Sequence, residues 1–262
     1  VPDDDFLKAI AAAAAEAGKL ALDSWDTDFR RWEKVAGSPV CDVDLAVDEL
    51  LKQRLNAIDP SAGWLSEETA DTAARLGNKR VWVVDPIDGT RDYLRGRPGW
   101  CVSVALVEDH MPIVGVLDAP ARGEHWRAAA GQGATRNGVA LRSSMRLELP
   151  GSRVPADTLP KIDEDLIAVP RANSIALRIA MIAADEADLC ASLRWGNDWD
   201  IAAAALITEE AGGTVTDALG LPIRYNSDPA ETFGVMASAP AIHTAAVARL
   251  AERAAAASVR PR

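Results

Sequence analysis

The chain has 262 residues, a net charge of −11, and a composition that is 48% hydrophobic and 26% charged. Those figures describe an ordinary globular chain, long enough for one large or two modest domains around a continuous core. The acidic balance argues against a nucleic-acid polymer as partner, which needs a basic footprint. A small phosphate ester stays open, because bound metal reverses the local sign of an acidic site. No apolar run is long enough to span a membrane. Cys41, Cys101 and Cys190 form no CxxC pair, which suits a reducing cytosol and predicts a cytoplasmic protein. His110, His125 and His243 form no zinc-type cluster and read as surface or turn residues.

In chain order, Asp5 to Ser24 reads as a helix with Phe6, Ile10, Ala14, Ala17 and Ala21 near one face. The acidic Asp3-Asp4-Asp5 run before it, and Glu16 and Lys19 inside it, mark a helix rather than a targeting segment. Phe29 to Lys34 is strand-like and is followed by a Gly37-Ser38-Pro39 turn. Asp44 to Ile58 forms a second helix, stopped by Asp59-Pro60. Gly63 to Ser66 is a short strand running into Glu67-Glu68. After the apolar run from Val81 to Val84, Trp100–Val107 and Pro112–Asp118 predict a hairpin turning at Asp109-His110. His125–Ala129, the Gly131-Gln132-Gly133 turn and the Asn137-Gly138 turn continue a meander. A boundary is placed there, giving an N-terminal unit 1–138 and a C-terminal unit 139–262. The second unit alternates strand Leu166–Val169, helix Ile175–Ala187, strand Asp188–Leu193, helix Trp199–Ala211, strands Thr214–Asp217 and Gly234–Ala237, and helix Ala241–Ala257. The expected fold class is α+β, with mixed or antiparallel sheets sandwiched by helices.

The chemistry is concentrated in Val84-Asp85-Pro86-Ile87-Asp88-Gly89-Thr90. Pro86 fixes φ, so Asp85 and Asp88 are expected to leave the strand end in a stiff turn with both carboxylates on one side. Two hard anionic ligands held close suit a hard divalent cation such as Mg²⁺. The amides of Gly89 and Thr90, opening what reads as a helix, suit a phosphate. Further carboxylates stand at the edges of predicted elements: Asp44, the Glu67-Glu68 pair, and Asp200 beside Trp199. Each alone has a plainer reading, as a helix cap or a solvated surface charge.

Taken together and in this order, Lys34 with Ser38-Pro39-Val40, Asp44, Leu65-Ser66-Glu67-Glu68, Asp85 to Thr90, and Trp199-Asp200 with Glu210-Ala211-Gly212-Gly213 resemble the inositol monophosphatase superfamily. The resemblance covers nearly the whole chain. It implies a layered α/β/α/β/α sandwich of the inositol monophosphatase and fructose-1,6-bisphosphatase type, acting as a Mg²⁺-dependent, lithium-sensitive phosphatase with two or three ions. It implies that Glu67, Asp85 and the Ile87 carbonyl hold one metal, and that Asp85, Asp88 and Asp200 hold a second, most ligands coming from the first unit and Asp200 from the second. Glu67 would help to hold a third, weaker ion. Thr90, hydrogen-bonded to Asp44, would orient and deprotonate the attacking water, so that Asp44, Thr90 and Glu67 form the catalytic group. Gly89 and Thr90 would hold the phosphate, with Lys34 nearby and Glu68 behind the ligands. A homodimer is the implied assembly. The scheme agrees with phosphoryl-transfer physics, since paired cations roughly 3.5–4 Å apart neutralise the ester, activate water and stabilise the leaving oxygen. Cys41 and Val43 depart from the Thr and Ala usual in the family, with Asp42 a candidate to take over the helix cap.

Within the family, Arg91-Asp92-Tyr93 after Thr90, Leu193-Arg194 before Trp199, and Ser174 with Arg178 are more like the 3′(2′),5′-bisphosphate nucleotidase branch than the inositol-hydrolysing branch. A bisphosphate carries a second phosphate that arginine binds bidentately, which makes Arg91, Arg178 and Arg194, with Ser174, candidate substrate contacts. The expected substrate is a small phosphorylated metabolite, first 3′-phosphoadenosine 5′-phosphate. Inositol-1-phosphate, and then a broader sugar-phosphate or histidinol-phosphate activity, stand as alternatives. A catalytically silent metal-binding regulator of the same fold is the alternative from outside enzymology.

Overall fold

Strands buried on both faces account for the long apolar runs of the first half. In the computed structural model, which describes residues 2–25, 30–35 and 38–259, helix α1 (Asp4–Ser24) is followed by the hairpin β1 (Arg31–Val35) and β2 (Ser38–Cys41) and by helix α2 (Asp42–Ile58). Asp3 caps α1, its Oδ1 accepting from the Phe6 amide at 2.8 Å. A seven-stranded sheet then forms in the order β3 (Gly63–Ser66), β4 (Arg80–Asp88), β5 (Cys101–Glu108), β6 (Met111–Ala119), β7 (Glu124–Ala129), β8 (Ala134–Arg136) and β9 (Val139–Ala140). Only β3 and β4 run parallel; the rest is an antiparallel meander. Its two-residue turns, Asp109-His110 and Asn137-Gly138, have positive φ at both positions, the primed geometry that matches strand twist.

Alternation along β4 and β5 distributes the sheet between two cores. Trp82, Val84, Val102, Val104 and Leu106 pack beneath α1 and α2. Val81, Val83, Cys101, Ala105 and Val107 face helices α4 (Ile175–Ala183) and α5 (Asp198–Glu210) on the other side. A side chain buried so completely contributes about 1.5–3 kcal/mol. Gly115 lets α5 approach, since a Cβ there would lie 2.6 Å from the Ala203 carbonyl oxygen. Beyond α4 and α5 lies a three-stranded sheet ordered β12 (Leu189–Asn197), β14 (Glu231–Ser238), β13 (Thr214–Thr216), covered by α6 (His243–Ser258). The layers therefore read α/β/α/β/α, the α+β sandwich expected. A short parallel pair, β10 (Arg153–Pro155) with β11 (Ile167–Val169), sits in the second half.

Several boundaries move. Ser38 and Pro39 belong to strand β2 rather than to a turn, while Phe29 and Gly37 lie outside the described residues. The helix expected to reach Ala187 stops at Ala183, because Asp185 takes a positive φ of 55° and Arg153 binds both Asp185 and Asp188. The division drawn after residue 138 falls inside the β8–β9 hairpin, and one core cluster holds residues from both halves. Among the described residues no helix is long and apolar enough to cross a membrane.

Candidate active site

Asp85 and Asp88 are three residues apart, which on a regular strand would place them on opposite faces. The β4–β5 ladder shows how they come together: Asp85 pairs with Ser103 and Asp88 with Cys101, so three steps on one strand match two on the other. The extra residue at Pro86-Ile87 is a bulge, which re-aims the strand. Asp85 secures it by accepting the Ile87 amide at 3.0 Å. Gly89 follows at φ 95°, where a Cβ would lie 2.6 Å from the Gly99 carbonyl oxygen. The helix opened by Thr90 is α3, only five residues long (Thr90–Leu94). The expected dipole contribution therefore reduces to the N–H groups of a single turn.

Carboxylate oxygens of Asp85, Asp88 and Asp200 all lie within 4.8 Å of one another. Burial pushes Asp85 well above the usual carboxylate range, reinforced by the charges of Glu67, Asp88 and Asp200. Burial also raises Asp88 to about 6, against the opposing pull of the Ser174 hydroxyl, the Ala176 amide and Arg178. Asp200 is pushed to about 8, first by burial of its carboxylate and then by Asp88. Two buried like charges and a half-buried third at this spacing call for a cation, and among the described residues no His or Cys joins the group. An all-oxygen donor set fits a hard divalent ion and disfavours zinc.

Asp88, Asp200 and Asp44 are each tied to a helix start. Asp88 Oδ2 accepts the Ser174 hydroxyl at 2.5 Å and the Ala176 amide at 2.8 Å at the head of α4. Asp200 Oδ2 accepts the Asn197 amide at 3.0 Å, closing α5 as its third residue, and Asp44 Oδ2 does the same for α2 with the Cys41 amide at 2.8 Å. The plainer reading of Asp44 and Asp200 as caps is thus realised, and in Asp200 the cap coexists with the cluster. Cys41, not Asp42, is the N-cap of α2; Asp42 pairs instead with Arg30 at 3.1 Å. The Cys41 thiol, pushed up to about 12 by burial and by Asp44, donates to that carboxylate at 2.9 Å.

Glu67 is half-buried at the end of β3 and lines the same cleft as Asp85, Ile87, Asp88, Gly89, Thr90 and Asp200, a space of about 450 Å³. Glu68 is half-buried beside it, its amide donating to Ser66 Oγ at 3.3 Å. The turn carrying both is braced by Asp48 of α2, which accepts the Ser66 hydroxyl at 2.5 Å and the Thr69 hydroxyl at 2.8 Å. Asp48 was not among the expected residues; its place four residues after Asp44 on α2 was the available signal.

Two expectations are revised. Thr90 Oγ1 donates to the Ile87 carbonyl oxygen at 3.0 Å instead of pairing with Asp44, whose Oδ2 is engaged at the helix start. Ser174 is wholly buried, donating to Asp88 and accepting from the Leu177 amide at 2.9 Å, so it supports a cluster carboxylate and does not face a ligand. Arg91 and Arg178 do line the cleft, and with Arg194 and Arg171 they also line an adjoining cavity of about 570 Å³. Arg178 is anchored through the Ser174 and Asn173 carbonyls at 3.2 and 3.0 Å, and Arg171 pairs with Asp157 at 2.5 Å. Arg171 and Trp195 of this cavity were not expected. Lys34 lies in β1, with its side chain outside the described residues.

The five-layered α+β sandwich that carries this cluster is a fold that known proteins share. The sequence profile of the inositol monophosphatase family matches residues 3–256. Histidinol-phosphatase of Mycobacterium tuberculosis is 31% identical over 249 residues, covering 89% of this chain and 95% of that protein. Inositol monophosphatase 2 of Solanum lycopersicum is 30% identical over 237 residues, covering 83% and 89%. Among solved structures, Thermotoga maritima IMPase superposes with a TM-score of 0.83 at 27% identity, covering 97% of this chain and all (100%) of that one. Bartonella henselae extragenic suppressor protein SuhB gives 0.81 at 25% identity, covering 93% and 97%. The chain belongs to the inositol monophosphatase family and is a phosphatase, a phosphoric monoester hydrolase.

Proposed function

We propose that this phosphatase uses Mg²⁺ to hydrolyse a small phosphate monoester whose leaving group carries a second anion, with 3′(2′),5′-bisphosphate nucleotides such as 3′-phosphoadenosine 5′-phosphate preferred. The observation that carries this reading is the set of four arginines, Arg91, Arg171, Arg178 and Arg194, lining the cavity that continues the carboxylate cleft. Arg171 is partly neutralised by Asp157, whereas Arg178 is held by backbone carbonyls, with its charge also acting on Asp88. A second phosphate supplies what guanidinium groups bind best. Inositol-1-phosphate offers them only hydroxyls. Histidinol phosphate, the substrate class in the name of the M. tuberculosis relative, brings an ammonium group that they would repel.

Asp85, Asp88, Asp200, Glu67 and the Ile87 carbonyl are the groups that would hold the ions. When bound, Mg²⁺ supplies Lewis acidity and neutralises phosphate charge. The chain's own part is orientation. Thr90 commits its proton to the Ile87 carbonyl, so its lone pairs are left to accept a hydrogen bond from the attacking water. The Ile87 oxygen has a second lone pair, so the two uses of that carbonyl are compatible. Gly89 and Thr90 N–H groups, at the open end of a helical turn, lack intrahelical acceptors and suit the phosphate oxygens. Lithium inhibition, a cytoplasmic location in keeping with three buried free thiols, and a homodimer belong to the same proposal.

Phosphate release from 3′-phosphoadenosine 5′-phosphate, AMP, inositol-1-phosphate and histidinol phosphate, with Mg²⁺ and with EDTA, tests it. The expected result is EDTA-sensitive turnover with the bisphosphate highest in kcat/KM, and a tenfold to hundredfold loss of that preference in Arg178→Ala or Arg194→Ala, the range of one lost charge-assisted contact. Inositol-1-phosphate ranking first, with the arginine changes silent, would refute the substrate assignment. Absence of Mg²⁺-dependent release from every ester would favour the silent regulator.

A further inference from the structure

Asp92, the third residue of α3, joins two stretches of chain that border the carboxylate cleft. Its backbone carbonyl accepts the Arg95 and Arg97 amides at 3.1 and 2.9 Å, which curls the chain after α3 back on itself. Its side chain reaches the other way: Oδ2 accepts the Asn173 amide at 3.2 Å, across 81 residues of sequence. Gly99 makes the room, since a Cβ there would lie 2.0 Å from Asp92 Oδ2 and 3.0 Å from the Asn173 nitrogen. The next amide, that of Ser174, donates separately to the Gly99 carbonyl oxygen at 2.9 Å. The Asn173 carbonyl in turn accepts from Arg178 Nη2 at 3.0 Å, and the Ser174 carbonyl from Arg178 Nε at 3.2 Å. A planar guanidinium held at two nitrogens keeps one orientation. Asn173 and Arg178 line the carboxylate cleft with Gly89 and Thr90, and both also line the adjoining cavity. A continuous chain of bonds therefore runs from the helical turn that offers N–H groups to phosphate, through Asp92 and Asn173, to the arginine.

We infer that Asp92 is a positioning residue, which holds Asn173, and through it the Arg178 guanidinium, in register with the phosphate-holding turn of Gly89 and Thr90. This deepens the proposed function and rests on its reading of Arg178 as a contact for the substrate's anionic groups, but not on which ester is preferred. Asp92 acts here through its hydrogen bond rather than its charge. A carboxylate beside arginines also competes with an anionic ligand for them: Arg171 is held above its ordinary value first by its hydrogen bond to Asp157, then by the charges of Asp157 and Asp92. The two roles predict different outcomes when the charge alone is removed. Losing a competing charge would tighten substrate binding, whereas losing the bond would weaken it.

The test measures kcat and KM for 3′-phosphoadenosine 5′-phosphate and for AMP at saturating Mg²⁺ in the wild type, Asp92→Ala, Asp92→Asn, Arg178→Ala and the double variant Asp92→Ala/Arg178→Ala. Asp92→Ala should raise KM for the better ester about tenfold with kcat little changed, within the tenfold to hundredfold that losing the arginine contact itself costs. Asp92→Asn, which keeps an oxygen acceptor, should stay near wild type. The double variant should be no worse than Arg178→Ala, because residues in one chain of bonds do not act additively. Hydrogen exchange read by mass spectrometry should show the peptide spanning residues 171–176 losing protection in Asp92→Ala and keeping it in Asp92→Asn, so the bond is read without turnover. An unchanged KM in Asp92→Ala, a KM that moves equally in both Asp92 variants, additive losses in the double variant, or unchanged exchange would overturn the inference. So would a rise in the Mg²⁺ concentration for half-maximal release that matches the rise in KM, which would place Asp92 behind the metal cluster instead. Arg178→Ala impaired with Asp92→Ala normal would overturn this inference alone, whereas a silent Arg178→Ala would overturn the arginine reading with it. AMP preferred over the bisphosphate, with the Asp92 and Arg178 effects intact, would sink only the substrate preference.

Discussion

Asp48 tests whether the fold around Glu67 is part of the catalytic apparatus. Its two oxygens receive the Ser66 hydroxyl at 2.5 Å and the Thr69 hydroxyl at 2.8 Å, on either side of Glu67-Glu68, and it is only 7% exposed. Asp48→Ala removes both acceptors and leaves two hydroxyls in search of water. Each hydrogen bond to a charged group contributes about 1.5–3 kcal/mol, so the turn loses about 3–6 kcal/mol of local restraint before relaxation. Partners standing behind metal ligands typically cost 10–100-fold in metal affinity or activity when removed. The Mg²⁺ concentration giving half-maximal phosphate release should therefore rise about tenfold or more, with circular dichroism unchanged and saturating Mg²⁺ recovering much of the rate. Asp48→Asn, which keeps one acceptor, should lie between. A Mg²⁺ midpoint in Asp48→Ala equal to wild type would refute the argument that this brace positions Glu67.

The carboxylate cluster should also report on metal without substrate: at a Mg²⁺ concentration 100 times its Kd, mass action adds about 2.7 kcal/mol, which for a chain of this size is a rise in Tm of several degrees over EDTA by scanning calorimetry. Thr90→Ala should lower kcat by about two orders of magnitude or more with KM little changed, and steady-state kinetics showing the reverse would move Thr90 to phosphate binding. Burial alone would raise Asp188, but Arg153 and the Ser144 hydroxyl outweigh it and hold it at about 2. Its folded-state value lies below the ordinary 3.8, so its stabilisation is present above pH 4 and is lost as pH falls toward 2. Asp188→Asn should flatten that part of an acid-denaturation curve.

Much of the site was legible because its residues sit beside strong local signals. Pro86, Gly89 and the apolar run before Asp85 announce a strand end whatever the tertiary context, and β4 and the hairpin after it follow closely. The bulge that unites Asp85 and Asp88 was not legible, because it is a property of pairing with β5 rather than of the motif. Strand β10 was missed for a related reason: three residues carry no usable periodicity, and its partner lies beyond a connection that reads as loop. The same holds for Trp195, whose place at the cavity depends on a slip against β14. Glu210, noted only as part of an ending motif, turns out to hold the Gly131 and Gly133 amides at 2.7 Å each, a link across 79 and 77 residues that no local pattern reveals. Ser174 is a candidate ligand contact only through the likeness of Ser174 and Arg178 to the bisphosphate nucleotidase branch, yet the capping geometry of α4 takes it inward.

The choice between cap and site, which looked exclusive in the sequence, dissolves in the structure. Asp88 serves the first turn of α4, and Asp200 and Asp44 serve those of α5 and α2. Helix starts concentrate free N–H groups and positive dipole, so each carboxylate gains a partial counter-charge worth about 0.3–1 kcal/mol or more in buried settings. That does not balance a cluster of three carboxylates within 4.8 Å, but it reduces the cost of holding them there before a cation arrives. It also fixes their rotamers, because an oxygen tied to a backbone amide cannot swing away. A cluster assembled from flexible surface acids would have to be ordered by the ion itself. Here the helices that close the sandwich order Asp88 and Asp200, which serve helix starts and would also bind metal, while the Ile87 amide of the bulge holds Asp85.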